Sequence, residues 1–261
     1  MRALSIAATG MMAQQLNVEV ISNNIANMNT TGFKRQRAQF EDMLYQTMER
    51  PGASTSAQGN VAPLGIQVGV GVRPGTVGRV TEQGNLTQTG NDYDLAISGA
   101  GYFQVLLPSG ETAYTRAGNL AINADGQLVT GEGYTIDPAI TIPVGATKVT
   151  ISRDGTVEAA VAGSATPTQV GQIELASFVN PAGLDAQGDN LFKETVASGA
   201  PTSSTPGSDN LGALMQGFLE TSNVNAVEEI SALIVAQRAY EMNAKVITAS
   251  DEMLQTTSQL R

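Results

Sequence analysis

The sequence predicts an α+β fold. N- and C-terminal α-helices form a coiled-coil-like inner domain, and the middle of the chain is a mainly antiparallel all-β domain. Three observations carry this. The last forty residues, 222–261, hold no proline or glycine and many good helix formers, and Leu233, Tyr240, Ile247 and Leu254 recur in them every seven residues. Leu4, Met11, Val18 and Ile25 repeat that spacing at the other end, separated by Ala8, Gln15 and Ser22. Between the two ends, from 76 to 200, short alternating apolar runs are broken by turn signals at regular intervals. A narrow seam with a period of about 3.5 residues calls for a partner helix rather than a globular core. A lone amphipathic helix packed on its own domain is the plainer alternative, but it does not account for matching seams at both ends.

Composition narrows the classes. At 261 residues the chain buries a real core and makes two or three units. Charged residues make up 15% and hydrophobic ones 41%, which fits neither a membrane-embedded nor a disordered protein, and no apolar run approaches the ~20 residues of a spanning helix. The net charge is -10, and residues 51–220 hold fifteen acidic and six basic side chains. Such an acidic middle argues against nucleic acid and against insertion into or binding to anionic membranes. Cysteine and histidine are both absent. Disulfides, thiol nucleophiles, zinc–thiolate sites and histidine bases are therefore excluded, and no catalytic, cofactor or metal site is expected.

The N-terminal seam begins inside 1–13, where Arg2, a modest apolar run and a small residue also fit a short signal peptide. Ser5, Thr9 and Gly10 interrupt that run, and the seven-residue stripe passes through the cleavage point it would need. The helix should fail at Asn29-Thr30-Thr31-Gly32, where turn formers gather. A second short helical pattern follows through Phe40, Met43, Leu44 and Met48, and Pro51 ends it. Residues 47–72 are the least regular, small and polar at first and then alternating through Ile66, Val68, Val70 and Val72 like a strand. By themselves they read as a solvated linker whose second half could add as a strand to another sheet edge. Gly69, Gly71 and Gly75 lack dinucleotide spacing and no P-loop lysine follows, so they are structural.

Candidate strands are 77–80, 94–97, 102–107, 113–116, 120–123, 127–130, 149–152, 156–159 and 173–179. Asp125-Gly126 and Asp154-Gly155 are the strongest hairpin turns, since glycine supplies the positive φ they need. Asn123-Ala124-Asp125-Gly126 has the start of a calcium loop but no closing glutamate, which leaves a plain turn. Residues 198–208 are rich in proline and serine and read as a linker, with 211–221 as a last extended piece. Asn225 and Glu228 are placed to form a capping box at the start of the terminal helix, with Glu229 adding negative charge to its first turn.

Ser22-Asn23-Asn24-Ile25-Ala26-Asn27 with Thr31-Gly32-Phe33-Lys34 resembles the N-terminal signature of the bacterial flagellar rod and hook proteins. Glu220-Thr221-Ser222-Asn223-Val224-Asn225, with Glu228-Glu229 and Gln237-Arg238-Ala239-Tyr240-Glu241, resembles the C-terminal one. The interior stretches 83–90, 95–105 and 114–118 agree, so the resemblance covers nearly the whole chain. Length and the stretch 33–52 are most similar to the distal-rod branch. The hook branch is usually longer and carries a larger inserted outer domain.

The resemblance implies a structural subunit and not an enzyme. It implies export unfolded by the flagellar type III apparatus without a cleaved signal, and helical polymerisation into the basal-body distal rod, the drive shaft that crosses the periplasm between motor and hook. Its implied partners are further copies of itself, the proximal rod proteins, the hook protein and the P and L rings. The implied layout is 1–32 and 222–261 in an inner tube, 33–75 as a connecting segment with its strut, 76–200 as an outer β domain and 201–221 as a returning linker. The motif positions are Asn23, Asn24, Asn27, Thr31, Gly32, Phe33, Ser222, Asn223, Asn225, Glu228, Arg238 and Tyr240. The seam residues Leu4, Met11, Val18, Ile25, Leu233, Tyr240, Ile247 and Leu254 are the expected self-assembly positions.

Other readings stay open at this point. Another rod protein or a short hook protein of the same family is one. A secreted β-rich binding module is a second, although it does not predict matched seams. A glycosidase using Asp92 and Asp94 is a third; the two carboxylates share a strand face but need a cleft and ~5 Å of separation.

Overall fold

The computed structural model describes residues 2–50, 64–161 and 166–259. The chain divides into two compact units, one made of 1–25, 36–78 and 225–261 and the other of 26–35 and 79–224.

In the first unit, helix α1 (Arg2–Ala26) and helix α2 (Ala226–Gln259) run antiparallel. Two contacts fix their register: Asn24 with Glu229, and Gly10 with Asn243. These pairs lie fourteen residues apart on both helices, two heptads with no slippage. A Cβ at Gly10 would stand 2.9 Å from the Asn243 amide nitrogen, so glycine here permits the close approach. The buried rows face inward: Ala7, Ala13, Val20, Ile21 and Asn24 on α1, and Glu229, Ala236 and Ser250 on α2. Asn225 caps α2, its Oδ1 accepting from the Val227 N–H at 3.1 Å, and Glu228 and Glu229 lie in the first turn, where the helix dipole favours them. Two ribbons complete the unit. Strand β1 (Gln36–Asp42) pairs with β4 (Val72–Arg79), and β2 (Tyr45–Glu49) pairs antiparallel with β3 (Ile66–Gly69).

The helix expected through Phe40, Met43, Leu44 and Met48 is therefore corrected to two strands, β1 and β2. Helical spacing over so few residues is a weak preference, and pairing with distant β3 and β4 overrides it. The apolar side chains involved bury no helix face: Met43, Leu44 and Met48 are all exposed. The part of the 47–72 stretch at 51–63, and Leu260, which sits one position ahead of a seam row, lie outside the described residues.

The second unit is antiparallel β. Its largest sheet centres on Tyr102–Leu106, which pairs with Thr112–Thr115, Thr135–Ile136 and Leu175–Ser177. Successive side chains point to opposite faces. Phe103 and Val105 enter one core with Leu95, Ile97, Leu128, Ile140 and Ile173. Tyr102 enters a smaller core with Tyr114, Ala176, Phe178 and Phe192, whose rings meet edge-to-face. A three-stranded sheet, Ala146–Ile151 with Thr156–Val161 and Thr168–Gln172, adds Val149, Ile151 and Val157 to the larger core. Gly126 and Gly155 take positive φ at the two expected hairpin turns. The stretch read as a linker is corrected: Thr202–Ser204 pairs with Leu175–Ser177 as a strand of the main sheet, its backbone hydrogen bonds outweighing its serine-rich composition. Ala213–Gln216 pairs with Leu95–Ser98, and Phe218–Glu220 pairs with Leu86–Gln88.

Candidate functional site at the joined chain ends

Each unit carries a clasp that ties residues from the beginning of the chain to residues from its end. In the helical unit, Asn24 Nδ2 donates to Glu229 Oε2 at 3.1 Å and to the Gln36 carbonyl at 2.8 Å. Asn24 Oδ1 accepts from the Gln36 N–H at 2.9 Å. Both Asn24 and Glu229 are buried. One amide thus fixes the helix pair and the start of β1 together.

The β unit holds the second clasp, a buried cluster of Lys34, Arg116 and Glu220. Glu220 is 1% exposed. Lys34 Nζ donates to Glu220 Oε1 at 2.6 Å and to the Glu82 carbonyl at 2.8 Å. Arg116 Nε donates to Oε2 at 2.5 Å, and its two Nη atoms donate to the carbonyls of Gly101, Ile97 and Gly99. The Gly84 N–H donates to Oε1 at 2.9 Å, and the Gly32 N–H donates to the Glu220 carbonyl at 2.8 Å. Gly32 holds φ +70°, and a Cβ there would stand 2.9 Å from the Ala117 nitrogen, so glycine is required on both counts. Beside the cluster, Asn223 Oδ1 accepts from the Arg35 N–H at 2.7 Å, and its Nδ2 donates to the carbonyls of Val80 and Glu82.

The electrostatics follow from burial. Burial pushes the Glu220 carboxyl up, but the charge of Arg116 and the hydrogen bonds from Lys34 and Arg116 outweigh it and hold the group below its ordinary value. Burial draws the Lys34 ammonium down; Glu220 opposes this and the Arg116 charge adds to it. A buried ion pair of this kind adds little net stability over an apolar packing, yet it is costly to break.

The motif residues gather unevenly around these clasps. Asn24, Gly32 and Ser222 are buried and Asn223 half-buried, while Asn23, Asn225, Glu228, Arg238 and Tyr240 are exposed. Asn27 and Thr31 sit in the turn after α1, with Asn27 Oδ1 accepting from Thr30 Oγ1, and Phe33 is half-buried. Of the seam residues, Leu4, Met11, Val18, Ile25, Leu233 and Ile247 are half-buried, and Tyr240 and Leu254 are exposed. Lys34, Arg116 and Glu220 fall inside the stretches that carry the resemblance, but the sequence assigns them no joint role. The available signal is a charge at an inward-facing position of a short apolar strand, as in Phe218-Leu219-Glu220. Asp94 is committed to a turn, accepting from Thr89 Oγ1 at 2.5 Å and Asn91 Nδ2 at 3.0 Å, while Asp92 is exposed. Among the described residues no group of acids is arranged to hold a metal, and no helix is long and apolar enough to cross a membrane.

Three family profiles match: the flagella basal body rod protein over 4–34, the flagellar hook protein FlgE/F/G D1 domain over 96–159, and the C-terminal region of the flagellar basal body rod FlgEFG proteins over 215–260. The flagellar basal-body rod protein FlgG of Caulobacter vibrioides is 62% identical over 261 residues, covering the whole of both chains. That of Agrobacterium fabrum is 53% identical over 99% of this chain and 98% of its own. The flagellar hook-basal body complex protein FlhP of Bacillus subtilis is 30% identical over the whole of both chains. The chain belongs to the flagellar basal-body rod and hook protein family.

Proposed function

We propose that this chain is a structural subunit of the distal rod of the flagellar basal body, polymerising helically into the shaft between motor and hook, and that it is not an enzyme. One observation carries the mode of assembly. Helix α2 is apolar on two faces, and only one of them meets α1. Val227, Ile234, Val235, Met242, Val246 and Met253 stay exposed on the other, with Val235 67% exposed. Covering such side chains is worth about 1.5–3 kcal/mol each when burial is complete, enough to drive association. Leu233 and Ile247 serve the helix pair within one chain, and the opposite face of α2 receives the neighbouring copy. A face presented to a different patch on the next copy builds a filament rather than a closed dimer.

In this reading 1–32 and 222–261 line the inner tube, 33–75 forms a connecting layer and 76–221, with its last strands paired into the β unit, lies outside. The ribbon β2–β3 exposes Leu44, Tyr45, Met48 and Ile66 and supplies the described part of the strut that rests on an adjacent subunit. The proximal rod proteins, the hook protein and the P and L rings are the proposed partners. The test is Val235→Asp, expressed in place of the parent chain. The monomer should melt as the parent does, while isolated basal bodies lack the distal shaft. Normal shafts carrying Asp at this position would remove the proposed interface.

A further inference from the structure

Next to the buried cluster of Lys34, Arg116 and Glu220, the β unit opens a cleft of about 320 Å³. Its floor is cationic, formed by Lys34 and Arg116, and Tyr102 and Phe178 make an apolar wall. Ala100 stands exposed at the mouth. Two cations share one carboxylate here, so the cluster holds a net positive charge in a desolvated place. Among the described residues the Lys34 ammonium donates two of the three hydrogen bonds it can make.

The setting sharpens the contrast. The β unit carries fifteen acidic and seven basic side chains, and two of those seven line the cleft. A third, Arg79, lies outside the lining, its guanidinium 4.6 Å from the centre of the Phe192 ring, which meets Tyr102 edge-on at 6.0 Å. A positive cleft with low-dielectric walls in an acidic surface focuses its field on an anion. Its volume is at the lower end of the range for ligand pockets, large enough for one side chain and part of its neighbour.

We propose that this cleft takes the carboxylate of an aspartate or glutamate from a neighbouring copy of this chain, with an adjoining apolar group against Tyr102 and Phe178. The inference rests on the polymer reading above. In a filament of identical subunits every cleft meets the same patch of the next copy, and the patch most available is the acidic surface of the β unit itself. The contact is heterologous and specific: the cleft selects a carboxylate by charge and its neighbour by shape.

Two variants at Ala100, which belongs to neither clasp, test it. A photo-crosslinking benzoylphenylalanine at position 100, irradiated in isolated basal bodies, should link to a peptide of a second copy that contains Asp or Glu. Ala100→Phe, which fills the cleft, should reduce shaft assembly about tenfold, with the monomer melting temperature unchanged. A crosslink to a peptide without an acid, to another protein or to nothing overturns the proposal, as does normal assembly of Ala100→Phe. Absence of the parent chain from the basal bodies would instead remove the rod reading, which keeps the two failures distinct.

Discussion

Asn24 and Glu229 stand 205 positions apart in the chain and are joined by a hydrogen bond of 3.1 Å. The bond sets the antiparallel register of α1 and α2, and the same amide holds the start of β1 through Gln36. Asn24→Ala removes three hydrogen bonds at a buried place, for an expected loss of about 1–3 kcal/mol. Asn24→Asp should be worse near neutral pH, because it sets a second carboxylate against Glu229. Thermal melts followed by circular dichroism would check both. Equal melting of the two variants at neutral pH would show that charge plays no part in this contact.

The charged clasp makes a larger claim. Glu220→Gln leaves Lys34 and Arg116 buried without their carboxylate, and breaking such a pair costs about 3–5 kcal/mol. The denaturant midpoint should fall with little change in slope. A midpoint within error of the parent would mean the cluster is more hydrated than its burial indicates.

Acid provides a second readout of the same group. The Glu220 carboxyl is held below its ordinary value of 4.5, so at acidic pH the unfolded chain takes up this proton before the folded one does. Its contribution is complete above 4.5 and is lost as pH falls through the lower folded-state value. The parent should therefore lose stability below that point more steeply than Glu220→Gln, which has no carboxyl to titrate. Parallel pH profiles for the two proteins would count against this account.

Helix α2 offers a comparison between its faces. Ile247 lies half-buried on the side that meets α1. Ile247→Asp should lower the melting temperature of the isolated chain, because it buries a charge without a partner, at a cost of several kcal/mol. Val235→Asp, on the exposed face, should leave melting unchanged and affect assembly alone. If both variants melt alike, the two faces are not distinct.

Much of this arrangement is legible in the residues because it is periodic. The heptad spacing of Leu233 and Ile247 and of Leu4 and Met11 marks two helices that need a partner, and Asp125-Gly126 and Asp154-Gly155 mark hairpins. What the spacing leaves undetermined is which partner each face takes. Leu233 and Val235 are both apolar on one helix, and only the place of α1 separates their roles. Phe40, Met43, Leu44 and Met48 mislead for a related reason: their strand state comes from pairing with residues of 66–79, which no local pattern contains. Lys34, Arg116 and Glu220 are legible as motif members, but their meeting is a property of the folded chain.

The Asn223 amide, bonded to Arg35, Val80 and Glu82 at once, brings the strand entering the β unit and the strand leaving it to a single point. Everything between Glu82 and Glu220 is then, topologically, one closed excursion whose length does not alter the spacing of its two exits. Material can be added to loops of that excursion away from Arg116 and Glu220 with the contact of Asn24 and Glu229 left in place. β excursions of different sizes can therefore be carried on one unchanged gate, which is a route by which a single ancestral subunit diversifies.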